Sequence, residues 1–289
     1  AYLVSGNNII VKRTNKQISN LPLMPKGNMP YDGGNLSLSE QEKEKLINDY
    51  PESTKFIKKL IGAEEFLDGK QRFCLWLSNK NLNDALKIEP IKTRIENVKN
   101  MRLSSTDKAA HKLAERAHQF RETNETTTSS LIIPLTTSER RVYIPLGFVN
   151  SEYIATNAVS VIYDAEPWIF GVISSLMHMA WVRAVGGSLE TRIRYSSVLC
   201  YNTFPFPNIS QKQKDEITEL VFAILDEREK HSQKTLAQLY DPDKMPEGLK
   251  KAHHNLDIAI EQCYRSKPFE SDEERLEYLF KMYEEMTSK

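Results

Sequence analysis

Hydrophobic and polar positions divide the chain into a mixed first part and a helical last part. From residue 211 onward, apolar residues such as Ile217, Val221 and Ile224 recur at three- and four-residue spacing, which predicts amphipathic helices. Between residues 131 and 163, short apolar runs are separated by proline and glycine, which predicts short strands. The pattern therefore predicts an α+β fold, in which a β-containing region with flanking helices precedes an all-helical C-terminal subdomain.

The same pattern predicts individual elements. Ser39 is a predicted N-cap for a helix over residues 40–49, and Pro90 begins a helix that runs to about residue 103. Further helices are predicted over residues 53–61, 107–121 and 168–185, and strands over residues 1–11, 71–77 and 192–201. We divide the chain into an N-terminal mixed part with connecting helices (1–125), a β-rich core (126–208) and a C-terminal helical subdomain (209–289).

The distribution of charge along the chain is more informative than the net charge. The 39 basic and 39 acidic side chains cancel, which excludes a globally basic nucleic-acid binder. Residues 1–100 nevertheless carry 16 basic and 12 acidic side chains, whereas residues 201–289 carry 13 and 18. A polyanionic partner is therefore expected to meet the first two-thirds of the chain.

Cysteine usage and hydropathy limit the compartment. The three cysteines are far apart and form no C-x-x-C pair, which indicates neither a disulfide framework nor a zinc site. No apolar run approaches the ~18 residues of a membrane span. We expect a cytoplasmic protein without a membrane partner. Because the chain begins without Met, we also expect it to be part of a longer polypeptide.

Sequence motifs for catalysis are absent. The chain contains no G-x-G-x-x-G, P-loop, G-x-S-x-G or H-E-x-x-H motif. Gly33-Gly34 and Asp68-Gly-Lys70 are interpreted as turns, and His178 as a packed core residue rather than a base. Adjacent His253 and His254 would point ~100° apart on a helix, which makes them poor co-ligands of a metal. We therefore predict that the chain has no self-sufficient active site, and an independent nuclease would need a metal site that the sequence does not supply.

Two stretches combine arginines with acids in β-rich surroundings, at residues 136–145 and 187–197. Glu190 and Arg192 are two positions apart, so on an extended segment both side chains leave the same face. A carboxylate and a guanidinium side by side could read the cytosine amine and the guanine acceptors of one G·C pair. The alternative is a surface salt bridge without function.

Several longer strings resemble one family. The strings are Gly27-Asn-x-Pro-x-Asp-Gly-Gly-Asn35, Phe73-Cys-Leu-Trp-Leu77, Ser138-Glu-Arg-Arg-x-Tyr-Ile-Pro145, Met179-Ala-Trp-Val-Arg183, Leu189-Glu-x-Arg-x-Arg-Tyr-Ser196, Tyr201-Asn-Thr-Phe-Pro-Phe-Pro207 and Leu239-Tyr-Asp-Pro-x-x-Met-Pro246, followed by Ala252-His253 and Leu256-Asp257. Through them the chain is similar to the C-terminal part of MmeI-type (type IIL) fused restriction–modification enzymes and related adenine-specific DNA methyltransferases, nearly throughout and in the same order.

The resemblance implies a target recognition domain followed by a helical region. The family's base-reading pair falls on Glu190 and Arg192, and a further recognition position falls on Asn157 with Ala158 beside it. An asparagine fits this role because its carboxamide can bond adenine N6 and N7 together. In the family, the methyltransferase's S-adenosylmethionine site and the nuclease motif lie upstream, so we expect no cofactor in these residues.

Phosphate contacts are expected to supply most of the affinity for double-stranded DNA. For Arg140 and Arg141 the alternative is structural ion pairing, and Arg194 could instead lock the Glu190 carboxylate. Phe204 and Phe206, in the string 201–207, are interpreted as packing residues rather than base wedges. The candidates for phosphate contact are Arg140, Arg141, Arg183, Arg194, Lys108, Lys112 and Arg116.

The sequence thus predicts a non-catalytic reader of DNA sequence. Its expected partners are double-stranded DNA and the upstream methyltransferase domain of the same polypeptide. The parent is expected to be a site-specific adenine-N6 methyltransferase that uses S-adenosylmethionine, with Mg²⁺ if it also has endonuclease activity. The alternative function is a protein-interaction or scaffold fragment of a phage-defence system, without base readout.

Overall fold

A computed structural model describes residues 9–189 and 192–288. The strands are β1 (Ser37–Leu38), β2 (Ile57–Ile61), β3 (Phe73–Leu75), β4 (Ser129–Pro134), β5 (Thr136–Ser138), β6 (Gly147–Asn150), β7 (Tyr153–Ala155), β8 (Val159–Tyr163), β9 (Gly187–Leu189) and β10 (Arg192–Arg194). The helices are α1 (Glu40–Asp49), α2 (Ala63–Asp68), α3 (Leu82–Ala85), α4 (Glu89–Leu103), α5 (Lys108–Leu113), α6 (Pro167–Ser174), α7 (Leu176–Val185), α8 (Gln211–Glu229), α9 (Leu236–Leu239), α10 (Glu247–Gln262) and α11 (Asp272–Thr287). Strands and helices are mixed in the first part and, within the described residues, only helices follow β10, which confirms the predicted α+β class.

The chain folds into two compact units. The first unit is formed by residues from 1–25, 130–148 and 160–289, and the second by residues from 26–129 and 149–159. Each unit has its own hydrophobic core. Trp181, Phe204 and Leu256 lie in the core of the first unit, and Phe56 and Leu75 lie in the core of the second.

The second unit is built around a four-stranded sheet in the order β1-β3-β2-β7. β2 pairs antiparallel with β3 and parallel with β7, so that Leu60 lies opposite Ile154. Helix α4 supplies Ile91, Ile95 and Val98 to the core of this unit, as the helical spacing predicts.

The first unit contains a three-stranded sheet in the order β5-β10-β9 and most of a second sheet, β6-β4-β8. Helices α6, α8 and α10 pack on one another, and α11 packs on α7. Gly171 of α6 lies against Ile217 of α8 and Leu256 of α10, and a side chain at this position would overlap them. The absence of a side chain thus lets these helices approach closely.

The helix predicted over residues 53–61 is wrong. Residues Pro51–Phe56 form a 3₁₀ helix, and Ile57–Ile61 form the strand β2. The apolar run in β2 is too short for its periodicity to distinguish a strand from a buried helix. The hydrogen bonds of this strand come from β3 and β7, which are distant in sequence.

The single helix predicted over residues 168–185 is also wrong, because α6 and α7 meet at a bend of 55°. Ser175 has an extended backbone and caps α7, since its hydroxyl accepts a hydrogen bond from the His178 N–H (3.3 Å) and donates one to the Val172 carbonyl (2.8 Å). A serine that bonds nearby backbone groups competes with the helix at that point.

Other predicted elements also differ from the structure. Helix α5 ends at Leu113 and continues as a 3₁₀ turn over Ala114–Arg116, and the strand predicted over 192–201 ends at Arg194. Residues Ser197–Tyr201 form a π-helical turn instead, so Cys200 is buried in a turn and not in a strand. Of the predicted opening strand, residues 1–8 lie outside the described residues and 9–11 form no strand.

Within residues 9–189 and 192–288, no single helix is both long and apolar enough to cross a membrane. Only the bent pair α6 and α7 reaches the required length and composition together, and most residues of both helices are buried in the core of the first unit.

Candidate nucleic-acid interface

Arg192 and Arg194 lie on β10, the central strand of the sheet β5-β10-β9. Arg192 is opposite Ser138 of β5, and Arg194 is opposite Thr136. Both arginines are exposed, whereas Ile193 between them packs against the core of the first unit. This alternation follows from the two-residue period of a strand, and it places two cations on the open face of a sheet.

Tyr195, the residue after Arg194, holds strand β10 from the buried face of the sheet. Tyr195 is buried, its N–H donates to the Leu135 carbonyl (2.9 Å), and its hydroxyl lies 2.9 Å from Nε2 of His178. Burial lowers the pKa of His178 to about 3, so this histidine is neutral in the folded protein. The interpretation of His178 as a packed core residue is confirmed.

Glu190, the predicted partner of Arg192 in base reading, lies outside the described residues. Strand β9 ends at Leu189 and β10 begins at Arg192, with these two residues paired antiparallel. The predicted roles of Glu190 and Arg192 stay predictions.

Asn157 and Ala158 lie in the second unit, on an exposed turn between β7 and β8. The backbone of this turn is held on both sides. The Asn157 N–H donates to the Asn28 carbonyl (3.0 Å), and the Val159 N–H donates to the Thr156 carbonyl (3.2 Å). The fixed backbone leaves the Asn157 side chain at the surface, as a residue that reads a base requires.

Asn28 is the buried residue that supports this turn. Its Nδ2 donates to the carbonyls of Asn124 (2.8 Å) and Ala155 (3.2 Å), and its Oδ1 accepts from the Asn124 N–H (2.7 Å). Gly27 beside it has no space for a side chain, because a Cβ would overlap the carbonyl oxygens of Thr156 and Ala155. The string that begins at Gly27 therefore has a structural role under the predicted recognition turn.

We expect Gly27→Ala to destabilise this turn. The added Cβ would lie 2.7 Å from the Ala155 carbonyl oxygen, a contact that the backbone can relieve only by moving. We expect the free energy of unfolding to fall by about 1–3 kcal/mol, the usual cost of overpacking. Urea unfolding measures this change. Gly187→Ala is the matched control, because a Cβ there meets no atom within 4 Å; equal loss in both variants would contradict the prediction.

Three predicted phosphate contacts lie near one another in the first unit. Arg140 is exposed and pairs with Asp243 (Nη2–Oδ2, 2.6 Å), and the half-buried Arg141 donates from Nη1 to Thr137 Oγ1 (3.3 Å). The half-buried Arg183 pairs with Asp272 (Nη1–Oδ2, 3.4 Å) and donates from Nη2 to the Arg141 carbonyl (3.0 Å). The alternative of structural ion pairing, given for Arg140 and Arg141, describes a contact that Arg140 does make, and Arg183 forms an ion pair as well.

The other predicted phosphate contacts differ in exposure and in the hydrogen bonds that they already form. Lys108 and Lys112 are exposed, one helical turn apart on α5. Arg116 is half-buried, and its guanidinium donates to the carbonyls of Phe120 and Arg121. Arg194 is exposed and forms no ion pair with any residue in 9–189 or 192–288.

The sequence motifs that were interpreted as structural lie in turns or in the core. Gly33 and Gly34 have φ angles of 60° and 82°, and the buried Asp32 carboxylate accepts hydrogen bonds from the N–H groups of Gly34 (3.0 Å) and Leu36 (2.6 Å). Phe204 and Phe206 are buried. The interpretations of Gly33-Gly34 as a turn and of both phenylalanines as packing residues are confirmed.

The string 239–257 forms a buried polar network for which the sequence alone offered no role. The Tyr143 hydroxyl donates to Asp257 Oδ2 (2.7 Å), and the Leu176 N–H donates to Oδ1 (2.8 Å). Burial raises the pKa of Asp257 to about 7 and lowers that of His253, which lies 2.7 Å (Nε2) from the Tyr240 hydroxyl. His254 is exposed, so the two adjacent histidines do not share a site.

Sequence reasoning also missed Arg102, which is fully buried in the second unit. All five of its N–H groups donate to backbone carbonyls, at 2.7–3.3 Å. Desolvation lowers its pKa, with nearby Arg116 as a smaller cause. The only available signal was an arginine among the apolar positions of a predicted helix. The acceptors are the carbonyls of Pro30, Tyr31, Leu113, Arg116 and Gln119.

Comparison with known proteins matches the whole of this architecture to one family. The family described as MmeI, target recognition domain, matches residues 5–208, and MmeI, C-terminal domain, matches residues 209–289. DNA methyltransferase A of Bacillus subtilis (strain 168) is 49% identical over 289 residues, which are 100% of this chain and 33% of that protein.

A solved structure agrees with these matches. The type IIL restriction-modification enzyme MmeI in complex with DNA superposes with a TM-score of 0.94 at 40% sequence identity, over 99% of this chain and 38% of that one. The chain thus spans well under half the length of both relatives. By sequence and by structure, the chain belongs to the MmeI family, of which it carries the target recognition domain and the C-terminal domain.

Proposed function

We propose that this chain reads the sequence of double-stranded DNA for a site-specific adenine-N6 DNA methyltransferase of which it is a part. The observation that carries the proposal is the match to the MmeI recognition and C-terminal domains over residues 5–289. The similar MmeI structure contains DNA, and the B. subtilis relative is a DNA methyltransferase.

Base reading is assigned to Glu190, Arg192, Asn157 and Ala158. Arg192 fits because it is exposed on the central strand of its sheet, and a guanidinium can bond guanine O6 and N7 together. Asn157 fits because its turn is held by backbone hydrogen bonds while its side chain is exposed. A carboxylate at Glu190 would accept a hydrogen bond from cytosine N4.

Phosphate contacts are assigned to the seven basic residues named above. Arg194, Lys108 and Lys112 are exposed, so each can contact a phosphate from its present position. Arg116, Arg140 and Arg183 already bond carbonyl or carboxylate partners, and each would contact a phosphate through its remaining N–H groups. Each phosphate contact adds to the salt dependence of binding and carries no sequence information by itself.

Methyl transfer itself is assigned to the rest of the polypeptide. S-adenosylmethionine would be bound there, and Mg²⁺ as well if the parent also cleaves DNA. We propose that this chain has three functional parts, which are the mixed part at 1–125, the β-rich core at 126–208 and the helical part at 209–289. The β-rich core contains all four base-reading residues.

The test is to express the complete polypeptide that contains this chain in a host without adenine methylation. Long-read sequencing of the host DNA then maps N6-methyladenine. We expect one short motif to be methylated, and we expect Arg192→Ala to relax the motif at a single position, because one base contact is lost. Host DNA without methyladenine, or methyladenine without a motif, would contradict the proposal.

A further inference from the structure

The loop of residues 139–146 follows β5 directly and is tied to α7 and to the C-terminal residues at four points. β5 is the strand opposite Arg192, so the loop adjoins the predicted reading strand. The four ties are Arg140 to Asp243, the Arg141 carbonyl to Arg183, Tyr143 to Asp257, and the Leu146 carbonyl to Arg228.

The tie at Tyr143 is the most deeply buried of them. Its hydroxyl donates to Asp257 Oδ2 at 2.7 Å, and its ring stacks on the His253 ring with centroids 4.1 Å apart and planes 19° apart. The other carboxylate oxygen of Asp257 is held by the Leu176 N–H at the start of α7. Asp257 therefore connects α10, α7 and the loop.

A second tie runs through charged residues. Arg183 donates to the Arg141 carbonyl (3.0 Å) and pairs with Asp272 of α11 (3.4 Å). Asp272 also binds Arg275 (3.0 Å), whose guanidinium pairs with the buried Glu261 of α10 (2.6 Å). The position of the loop is thus set from helices α7, α10 and α11.

The loop in turn holds the end of β5. The Arg141 N–H donates to the Ser138 carbonyl (3.2 Å), and its guanidinium donates to Thr137 Oγ1 (3.3 Å). Ser138 is the Cα partner of Arg192 in the sheet. Because Arg141 bonds residues of β5 and β5 pairs with β10, a displacement of the loop would also displace the strand that carries Arg192.

We propose that Tyr143 and Asp257 are positioning residues that set the discrimination of the Arg192 base contact without touching DNA. The inference rests on the proposed function. Base readout by a bidentate arginine requires placement to within ~0.5 Å, so a loosened support reduces the preference for the correct base before it reduces binding to phosphates.

The test compares Tyr143→Phe with wild type in the complete polypeptide. Methyl-transfer rates are measured on a duplex with the cognate site and on duplexes with one substituted base pair. The base pair read by Arg192 is identified first with Arg192→Ala. We expect Tyr143→Phe to reduce discrimination at that base pair about fivefold, which is part of the discrimination that one bidentate base contact contributes. The rate at the saturated cognate site should change less than twofold.

The matched control is Tyr278→Phe, which removes a hydroxyl that donates to the Tyr264 carbonyl (2.9 Å) and not to a residue of the loop. Asp257→Asn is the conservative variant, because an amide can donate to the Tyr143 oxygen, and it should keep most of the discrimination. Asp257→Ala should lose it; if that variant does not fold, Tyr143→Phe and Asp257→Asn still decide.

Unchanged discrimination in a folded Tyr143→Phe would overturn the inference. An equal loss of rate on every duplex, or the same loss in Tyr278→Phe, would also overturn it, because the contact would then support only folding. If the proposed function were wrong, the wild-type polypeptide itself would show no preferred site. This result is distinguishable from a failure of the inference alone.

Discussion

Exchanging the two charges in Glu190→Lys with Arg192→Asp changes the base pair that the enzyme accepts at one position of its recognition site. The guanidinium and the carboxylate are matched to the acceptors of guanine and the donor of cytosine, and the exchange reverses this pattern. A good bidentate base contact contributes ~1–3 kcal/mol of discrimination, so preference at this position should change by about 5- to 150-fold. Long-read mapping of methyladenine measures the new motif.

The fold should tolerate the change at Arg192. Its side chain is exposed, and the buried residues that fix β10 are the neighbouring Ile193 and Tyr195, which stay in place. Arg194→Ala is the control on the same strand. It should weaken binding to all sequences and lower the slope of log affinity against log salt by about 1, with the motif unchanged. An unaltered methylation motif in the exchanged variant would disprove the base-reading assignment.

Replacing the buried Arg102 with methionine unfolds or severely loosens the second unit. Methionine approximates the length of the side chain but leaves five buried carbonyl acceptors without their donors. Removing one partner from a buried charged network costs about 3–5 kcal/mol, a large part of the ~5–15 kcal/mol stability of a typical domain. Arg102→Lys, with three donors instead of five, should lose less.

Hydrogen exchange measured by mass spectrometry tests this prediction. Peptides from residues 26–129 should lose protection in Arg102→Met, because Arg102 joins residues 30–31 to residues 113–119. Lys99→Met removes the same charge from an exposed position on α4 and should change stability by less than about 0.5 kcal/mol. Equal protection in both variants would show that the five hydrogen bonds contribute little.

Helices with local signals were predicted correctly. Ser39 caps α1 with the reciprocal hydrogen bonds of a capping box, and the apolar spacing of α8 and α10 matches their buried residues. Strand β2 and the break at Ser175 were missed. Strand β2 takes its hydrogen bonds from β3 and β7, which lie elsewhere in the sequence. The break combines the local cap of Ser175 with a distant partner, because the Asp257 carboxylate holds the N–H of Leu176.

The sequence likewise predicted one part of the candidate site and missed another. The strings around Asn157 and Arg192 marked recognition positions through their resemblance to a family, and the two-residue period of a strand correctly placed Arg192 and Arg194 on one exposed face. The carboxylate partners of Arg140 and Arg183 could not be read from the sequence, because they lie 103 and 89 residues away. The partner of Arg116 is a backbone carbonyl, which every residue carries.

The sequence by itself determined the α+β class and the order of the mixed and helical parts, because helix caps and apolar periodicity act over neighbouring residues. It indicated the family through the resemblance of its motif strings. Only the tertiary structure decided which polar residues support the recognition strand and turn. Arg102, Asn28 and Asp257 are buried, and a buried polar group is tolerated only where folding brings it the hydrogen-bond partners that water supplied before. Those partners come from distant parts of the chain, so no local pattern could reveal them.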